Sequence, residues 1–460
     1  MNMEITRLKW DDNHPILSGL DLNLTDSHGN PYKTIIIAGD NGIGKTTILQ
    51  SILDIMTGES GDFEAFEYNI GADKYVASGV DGSHIKVKKE GGDFENVQLS
   101  HARRNHFDFG EIGSMDDYAP QKFSAVMSAA STDFNSSVEN KDDYNAVKQH
   151  LITLERQDNE AYKAKNMEQE ANGQQPIPIS SFNRTDSKLE RFKRTFNEMF
   201  EDLKFLCVKS GVEDTRVIFT KNSNEEIDID KLSTGEKQIV FRGSAILTQA
   251  KESDVVLIDE PELSMHPRWM EKVLKFYKGL ATGTNTQKSQ LFITTHSDVI
   301  IRKAVEEGNA LIIRLTKDGT HVVSNKPDDL VLSSPTSAEI NYAVFGIYSI
   351  DYHIQLFAQL HNEIIANDNT KVAITKADIS IKGQPQCTAH YLKRYENISR
   401  GRRIVYETLP CYVRNCIDHP DSPNFSGTIQ RYTPQELRDS TELLRKLIVE
   451  QKKGNYDFNQ

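Results

Sequence analysis

Residues 39–46 read Gly-Asp-Asn-Gly-Ile-Gly-Lys-Thr, a glycine-rich segment that ends in a lysine and a hydroxyl side chain. Glycines at this spacing let successive backbone N–H groups turn toward one anion, and a helix that begins here adds partial positive charge. Lys45 would reach the β- and γ-phosphates of a nucleoside triphosphate and assist catalysis, and the Thr46 hydroxyl would hold Mg²⁺. The residues that we expect around the nucleotide are Gly39, Asn41, Gly42, Gly44, Lys45, Thr46 and Thr47.

A second candidate is the run Val-Val-Leu-Ile-Asp-Glu at residues 255–260, an apolar segment that ends in two carboxylates. In open α/β sheets, ligands bind at the carboxyl ends of parallel strands, and we expect this strand to lie beside the one that precedes the glycine-rich segment. Asp259 would complete the Mg²⁺ shell, and Glu260 would act as general base on the water that attacks the γ-phosphate. Gln121 is a further candidate for sensing Mg²⁺ and water.

Two more segments carry polar groups that suit a triphosphate site. Residues 232–236 read Leu-Ser-Thr-Gly-Glu and precede a helical pattern that extends through Leu247, so Ser233 and Gly235 form a second anion-binding tip. Residues 291–297 read Leu-Phe-Ile-Thr-Thr-His-Ser, a strand pattern that ends in a histidine. We expect His296 to sense the γ-phosphate.

The elements that must position these residues are visible in the hydrophobic pattern. Residues 34–38, Thr-Ile-Ile-Ile-Ala, form a short β-branched run typical of a buried parallel strand, and residues 47–53 form a helix with one apolar side. Between the two anion-binding segments, we expect a helical lobe. One helix should cover about residues 138–156, a polar stretch with a Pro-Ile-Pro end should occupy 157–178, and a second amphipathic helix should follow at 189–203.

A separate helical region begins after about Pro335. Residues 337–346 open it, and its last helix has a clear start, with Thr433 as N-cap, Pro434 at the first position and Glu436 completing a capping box. The apolar face of this helix consists of Leu437, Leu443, Leu444, Leu447 and Ile448. We therefore expect a head over residues 1–330, with its helical insertion at about 135–210, and a helical domain over 331–460.

Bulk properties limit the cellular setting. The four cysteines show no Cys-x-x-Cys spacing, so neither a disulfide framework nor structural zinc is expected. No apolar run reaches the roughly 18 residues that a membrane span needs, and a cytoplasmic protein without membrane contact is expected. Net charge is −13, yet the segment from Lys371 onward has 15 Lys and Arg against 10 Asp and Glu. This basic end indicates either a contact with DNA, RNA or an acidic partner, or an ordinary solvated surface.

The four motifs in this order resemble those of the ATP-binding-cassette (ABC) ATPase superfamily over roughly residues 1–325. The resemblance implies an α/β head in which a parallel P-loop sheet is joined to an antiparallel β lobe, and it implies ATP and Mg²⁺ as cofactors. It also implies a homodimer, or a larger oligomer, with two ATP molecules sandwiched at the interface. Ser233 and Gly235 of one head would then complete the ATP site of the other.

A narrower resemblance comes from Glu-Pro-x4-His-Pro at residues 260–267, which is similar to RecF-like and overcoming-lysogenization-defect ATPases. With a helical end and no second catalytic domain, the chain resembles the ATPases of bacterial anti-phage defence, those of the Septu and PARIS systems first and those of anticodon-nuclease type next. The resemblance implies a regulatory ATPase that senses invasion and controls a separate nuclease subunit of HNH or TOPRIM type. A RecF-like DNA repair ATPase is an alternative supported by the head alone.

Arg414 and His419 are the remaining candidates. Arg-Asn with a histidine five residues after the arginine resembles the R-x4-6-H motif of HEPN ribonucleases, in which arginine steadies phosphate charge and histidine moves protons. This resemblance implies an ATP-gated ribonuclease acting on tRNA or other RNA. The alternative is a helix-end pair that packs the tail or binds a partner. Basic residues nearby, which would favour phosphate contact, are Lys393, Arg394, Arg400, Arg402 and Arg403.

Overall fold

The computed structural model describes most of the chain and divides it into two compact units, Met1–Lys326 and Pro327–Gln460. The described residues are 3–57, 63–81, 84–98, 107–108, 122–123, 125–128, 141–210, 215–222, 225–249, 255–262, 265–282, 287–319, 321–325, 327, 329–366, 374–399, 402–424 and 426–453. Gln121 lies outside them, and so does Arg400.

The first unit combines three main sheets with helices. Its strands are β1 (Met3–Trp10), β2 (Asp21–Asn23), β3 (Thr34–Ala38), β4 (Phe63–Ile70), β5 (Asp73–Asp81), β6 (His84–Lys89), β7 (Glu95–Gln98), β8 (Phe107–Asp108), β9 (Lys122–Phe123), β10 (Ala125–Ser128), β11 (Leu203–Ser210), β12 (Thr215–Lys221), β13 (Glu225–Asp228), β14 (Val255–Asp259), β15 (Gln290–Thr295), β16 (Leu311–Asp318) and β17 (His321–Asn325). Its helices are α1 (Lys45–Thr57), α2 (Lys141–Ala171), α3 (Ile179–Thr185), α4 (Lys188–Met199), α5 (Thr234–Gln249), α6 (Pro267–Ala281) and α7 (Asp298–Glu307).

A mainly parallel sheet forms the centre of this unit, with strand order β10-β14-β15-β3-β16-β17. Only β17 runs antiparallel to its neighbour. Every residue of β3, β14 and β15 is buried, which explains why β3 and β14 read as largely apolar runs. The predicted strands at residues 34–38 and 255–259 are confirmed, but the expectation that they lie side by side is wrong. The chain leaves β14, passes through α6 and returns as β15, which takes the place between them.

An antiparallel sheet with strand order β2-β1-β4-β5-β6-β7 forms the predicted β lobe. The side chain of Gln290, at the start of β15, joins this lobe to the parallel sheet. Its amide oxygen accepts a hydrogen bond from Ile5 N at 2.7 Å, and its amide nitrogen donates to Ile5 O and Tyr32 O. The α/β head with a parallel sheet and an antiparallel lobe, expected from the sequence, is therefore confirmed.

The helical insertion differs from the prediction at two boundaries. The polar stretch after residue 156 does not separate two helices, because α2 continues to Ala171. This stretch is rich in Glu, Lys, Gln and Ala, which are strong helix formers that need no buried face. Asp158, in its first part, accepts hydrogen bonds from Lys188 N and Leu189 N at the start of α4. Helix α4 ends at Met199, so the buried Leu203 begins β11 instead of extending the helix.

The second unit has its own hydrophobic core. Its elements are α8 (Ser337–Phe345), α9 (Ile350–Ala366), α10 (Ile374–Lys382), β18 (Leu392–Ser399), β19 (Arg402–Thr408), α11 (Leu409–Asp418) and α12 (Pro434–Lys452). The predicted capping box of α12 is confirmed, and the five apolar residues of its predicted face are buried. The region predicted as helical also contains an antiparallel hairpin, formed by β18 and β19. Over the described residues, no helix is both long and apolar enough to span a bilayer.

Candidate nucleotide-binding site

The glycine-rich segment forms a turn between β3 and α1 that only glycine can build. Gly42 and Gly44 have φ angles of +74° and +109°, in the region that side chains disfavour. A Cβ at Gly39 would lie 2.9 Å from the carbonyl oxygen of Leu315, and one at Gly44 would lie 2.9 Å from Leu17 Cδ2. The strand–loop–helix context predicted for phosphate binding is therefore present, with the loop at the N-terminus of α1.

Lys45 is nearly buried, with 4% of its surface exposed, and it interacts with the loop itself. Its ammonium group donates hydrogen bonds to Gly39 O at 2.9 Å and Asp40 O at 3.1 Å. Glu260 Oε1 lies 3.6 Å from the same nitrogen. A buried cation needs such partners, and phosphate oxygens can replace the two carbonyls without leaving the charge unpaired.

Thr46, in the first turn of α1, and Asp259, at the end of β14, are brought together although β14 is not a neighbour of β3, the strand that precedes the loop. The Thr46 hydroxyl donates a hydrogen bond of 2.9 Å to Asp259 Oδ2, and the Thr294 hydroxyl donates to Asp259 Oδ1. A hydroxyl and a carboxylate are hard oxygen ligands that suit Mg²⁺, which usually takes one or two carboxylates together with phosphates and waters. These residues therefore fit Mg²⁺, whereas the described residues contain no cluster of three or more His, Cys, Asp or Glu that could hold a metal.

Glu260 occupies a strained backbone position directly after β14. Its φ angle is +43°, a left-handed conformation that costs about 1–2 kcal/mol for a residue with a side chain. The Glu260 N–H lies within hydrogen-bond distance of two acceptors on Thr294, the carbonyl oxygen at 3.1 Å and the hydroxyl at 3.2 Å. Such strain persists only where surrounding contacts hold it, and it is concentrated at functional sites.

His296 lies against two carboxylates at the end of β15. Its Nδ1 is 3.5 Å from Glu260 Oε1 and 3.3 Å from Glu262 Oε1, and 41% of its side chain is exposed. The site thus contains a continuous line of polar groups, which runs from Lys45 through Glu260 and His296 to Glu262. Of the predicted residues, the structure brings together Lys45, Thr46, Asp259, Glu260 and His296.

Thr294 and Glu262 were not identified from the sequence, although both belong to motifs that we singled out. Thr294 is fully buried and touches both Asp259 and Glu260. Glu262 is 5% exposed and accepts hydrogen bonds from Thr295 and from the backbone of His296. For Thr294, the sequence signal was a polar residue near the end of a strand whose middle is apolar.

The Leu-Ser-Thr-Gly-Glu segment at residues 232–236 stands apart from these contacts. Ser233 caps α5: its backbone N–H donates to Glu236 Oε2 at 2.6 Å, and its hydroxyl accepts from Glu236 N at 3.4 Å. Ser233 is exposed and Gly235 is half-buried. No hydrogen bond or ion pair found in the described part of the chain links either residue to the phosphate loop. Asn41 is exposed and Thr47 is half-buried at the start of α1.

The C-terminal candidates, Arg414 and His419, lie at the end of α11. Arg414, in α11, forms an ion pair with Asp418, donates to Asn415 Oδ1 at 3.2 Å and lies 5.9 Å from the Phe357 ring. His419 is exposed and caps the end of α11, where its N–H donates to Asn415 O at 2.9 Å. None of the contacts observed among described residues joins Arg414 to His419, and their ribonuclease role remains a prediction.

The basic residues of the β18–β19 hairpin whose side chains the structure describes form ion pairs. Arg394 and Arg403 both contact Glu396 Oε1, at 2.6 and 2.7 Å. Lys393 forms an ion pair with Glu436 and lies 4.4 Å from the Tyr412 ring. These contacts lower the positive charge that Lys393, Arg394 and Arg403 offer to a phosphate backbone.

A glycine-rich loop, with its threonine bonded to an aspartate at the end of another strand of the same sheet, is the arrangement expected of a P-loop ATPase-family head. The family comparison agrees with this class. The chain belongs to the protein family described as "AAA domain, putative AbiEii toxin, Type IV TA system", and the match covers residues 35–302.

Two individual proteins show more distant similarity. The Septu protein PtuA of Bacillus thuringiensis is 28% identical over 144 residues, which cover 27% of this chain and 34% of PtuA. The chain therefore matches about a third of the length of this relative. The solved Smc head domain of Pyrococcus furiosus, which has an extended coiled coil and is bound to the C-terminal domain of ScpA, is 15% identical. That likeness covers 70% of this chain and 96% of the Smc chain, with a TM-score of 0.39. The family and the PtuA match confirm the predicted resemblance to ATPases of the anti-phage defence type.

Proposed function

We propose that this chain hydrolyses ATP with Mg²⁺ at the site between α1 and the ends of β14 and β15. The observation that carries the proposal is the 2.9 Å hydrogen bond from Thr46 Oγ1 to Asp259 Oδ2. This bond joins the phosphate loop to the strand end that continues into Glu260. A phosphate cradle, oxygen ligands for Mg²⁺ and a carboxylate base then lie in one place, as phosphoryl transfer to water requires.

The roles of the side chains follow from their contacts. ATP binding exchanges the two carbonyl partners of Lys45 for phosphate oxygens, which keeps the buried ammonium group paired. Glu260, 3.6 Å from Lys45 Nζ, accepts the proton of the attacking water. His296, beside the same carboxylate, contacts the γ-phosphate. Thr46 and Asp259 would hold Mg²⁺, which would neutralise charge on the phosphates.

The site is completed by a second copy of the chain. Ser233 and Gly235 start α5 with exposed or half-buried groups at a helix N-terminus, which suits contact with an anion from outside the protomer. Two ATP molecules sandwiched between two heads then link nucleotide state to closure of the dimer. The exposure of Ser233 supports this arrangement, because a tip that served its own loop would be bonded to it.

The biological role that we propose is regulation of a nuclease in bacterial anti-phage defence. The family description as a putative toxin of a type IV toxin–antitoxin system supports a defensive role, and so does the similarity to a Septu protein. In this role the head dimer responds to invasion, and the C-terminal unit, which has its own core, docks a separate nuclease subunit of HNH or TOPRIM type.

Substitution of the proposed base tests the ATPase. Glu260→Gln should lower kcat for ATP hydrolysis by about 10²–10⁴-fold, the usual contribution of a general base, while ATP still binds and stabilises the dimer. Glu64→Gln is the matched control, because Glu64 is an exposed β-lobe carboxylate paired with Lys9. Phosphate release and size-exclusion chromatography with ATP provide the two measurements. Hydrolysis by Glu260→Gln at the parental rate would show that Glu260 is not the base.

The ribonuclease alternative has its own test. The purified chain, incubated with tRNA, ATP and Mg²⁺, should leave RNA intact if the nuclease is a separate subunit. Cleavage that disappears in His419→Ala while ATP hydrolysis continues would replace the regulatory role with an intrinsic ribonuclease. ATP-dependent DNA binding without any effect on phage growth would instead favour a RecF-like repair ATPase.

A further inference from the structure

The geometry points to Glu262 as the positioning residue for His296, a role that rests on the proposed ATPase function and extends it. Glu262 follows the base Glu260 by two residues and touches the end of β15, the strand that delivers His296. Its carboxylate is placed to fix both the backbone and the ring of the histidine. In this role Glu262 acts on ATP hydrolysis through His296 and needs no contact with the nucleotide.

One oxygen of Glu262 accepts hydrogen bonds from two donors at this strand end. Oε1 accepts a hydrogen bond of 2.7 Å from the Thr295 hydroxyl and one of 2.8 Å from His296 N. His296 Nδ1 lies 3.3 Å from the same oxygen. The carboxylate therefore holds the peptide on which the histidine is mounted, and it also faces the ring.

The other oxygen argues against a purely structural role. Glu262 is 5% exposed, and its Oε2 is buried without a hydrogen-bond partner in the described part of the protein. An unsatisfied buried carboxylate oxygen costs about 1–3 kcal/mol or more. A neutral side chain at this position would support the turn without this free-energy cost. The presence of a carboxylate here is therefore better explained by a functional role.

The two carboxylates determine which ring nitrogen carries a proton. His296 Nδ1 has Glu260 Oε1 at 3.5 Å and Glu262 Oε1 at 3.3 Å, and a nitrogen lone pair facing two acceptors would be repelled. A hydrogen on Nδ1 is attracted to both carboxylates, so Nδ1 is the ring nitrogen that carries it. Glu262 keeps this arrangement even when Glu260 turns toward the attacking water.

A double-mutant cycle in ATP hydrolysis tests the inference. Glu262→Gln should lower kcat by roughly tenfold to a hundredfold, as for carboxylates that orient metal-bound histidines, with KM for ATP and binding of a fluorescent ATP analogue unchanged. In a His296→Ala background, the same substitution should change kcat by less than about twofold, because the group through which it acts is gone. An equal slowing in both backgrounds would overturn the inference, and so would parental kcat in Glu262→Gln.

A second measurement does not depend on turnover. A suitable measurement is the long-range ¹H–¹⁵N correlation spectrum of histidine-labelled protein, with the His296 signals assigned by His296→Ala. The spectrum should show a proton on Nδ1 in the parent, and the protonation of Nδ1 should change in Glu262→Gln. An Nδ1 without a proton in the parent would overturn the inference. If the parent hydrolyses no ATP above the Glu260→Gln background, the proposed function fails, and the spectra still decide the role of Glu262.

Discussion

Thr294→Val removes one hydroxyl from the centre of the site without changing the shape of the side chain. The Thr294 hydroxyl donates to Asp259 Oδ1 and lies 3.2 Å from Glu260 N. It therefore holds the proposed Mg²⁺ ligand in place and helps to hold the strained backbone of the proposed base. Thr294 touches no nucleotide in the proposed mechanism, so its loss tests the geometry and leaves the reacting groups intact.

The magnitude follows from the partners that remain. A hydrogen bond to a charged group contributes about 1.5–3 kcal/mol, and Thr294 is fully buried, so water cannot replace it. The Glu260 N–H still has the Thr294 carbonyl oxygen as an acceptor at 3.1 Å. Thr294→Val therefore removes only the hydrogen bond to Asp259 and the 3.2 Å contact between the hydroxyl and Glu260 N. If this loss appears in the transition state, kcat falls by about tenfold to a hundredfold, at roughly 1.4 kcal/mol per tenfold.

The assay is steady-state phosphate release as a function of Mg²⁺ concentration, combined with thermal unfolding. Thr34→Val is the matched control. Thr34 is 1% exposed and begins β3, the strand next to β15, at the end of the sheet away from the site. Its hydroxyl donates to Gln287 Oε1. Both variants should lose stability, but only Thr294→Val should lose activity and need more Mg²⁺. Parental kcat and parental Mg²⁺ dependence in Thr294→Val would refute the reasoning.

Three further predictions concern the loop lysine, the composite site and the second unit. Lys45→Ala should abolish binding of a fluorescent ATP analogue, because it removes the buried cation of the loop, and tight binding by this variant would contradict the site. Lys45→Ala and Ser233→Arg should each be inactive alone yet regain ATP hydrolysis when mixed, and a mixture without activity would argue against sites shared between protomers. Burial lowers the pKa of His353 to about 3, so this histidine stays neutral when folded and takes up a proton on unfolding below about pH 6.5. Its contribution to stability is present above that pH and is lost as pH falls toward 3. Between pH 7 and pH 5, the parent should lose about 2 kcal/mol relative to His353→Gln in urea unfolding, and identical pH profiles would contradict this.

Much of the head could be predicted because its signals are local. The β-branched run at residues 34–38 and the apolar run at 255–259 are strands at the predicted positions, since few other structures can bury such residues on both faces. The capping box at Thr433 similarly identified the start of α12. Each of these predictions depended on side chains and backbone groups within a few residues of one another.

The remaining features depend on contacts between distant segments. The strand order could not be read from the motifs, because either neighbour of β3 would satisfy the same apolar pattern. Asp158, in the part of α2 beyond the predicted boundary, accepts hydrogen bonds from the backbone at the start of α4, about 30 residues later. The β18–β19 hairpin carries many charged residues, and its two buried tyrosines, Tyr395 and Tyr406, pack against the core of the second unit.

The strand order that the sequence did not reveal explains how the site is assembled. Successive residues of a strand point to opposite faces, and β15 uses this alternation at its end. Thr294 lies directly opposite Asp259 and bonds to it, whereas the next residue, Thr295, bonds to Glu262. With β15 between β14 and β3, one strand end therefore holds the proposed Mg²⁺ ligand on one side and the proposed support of His296 on the other. If β14 adjoined β3 directly, β15 would lose its pairing with Asp259, and the two halves of the site would have to be held separately.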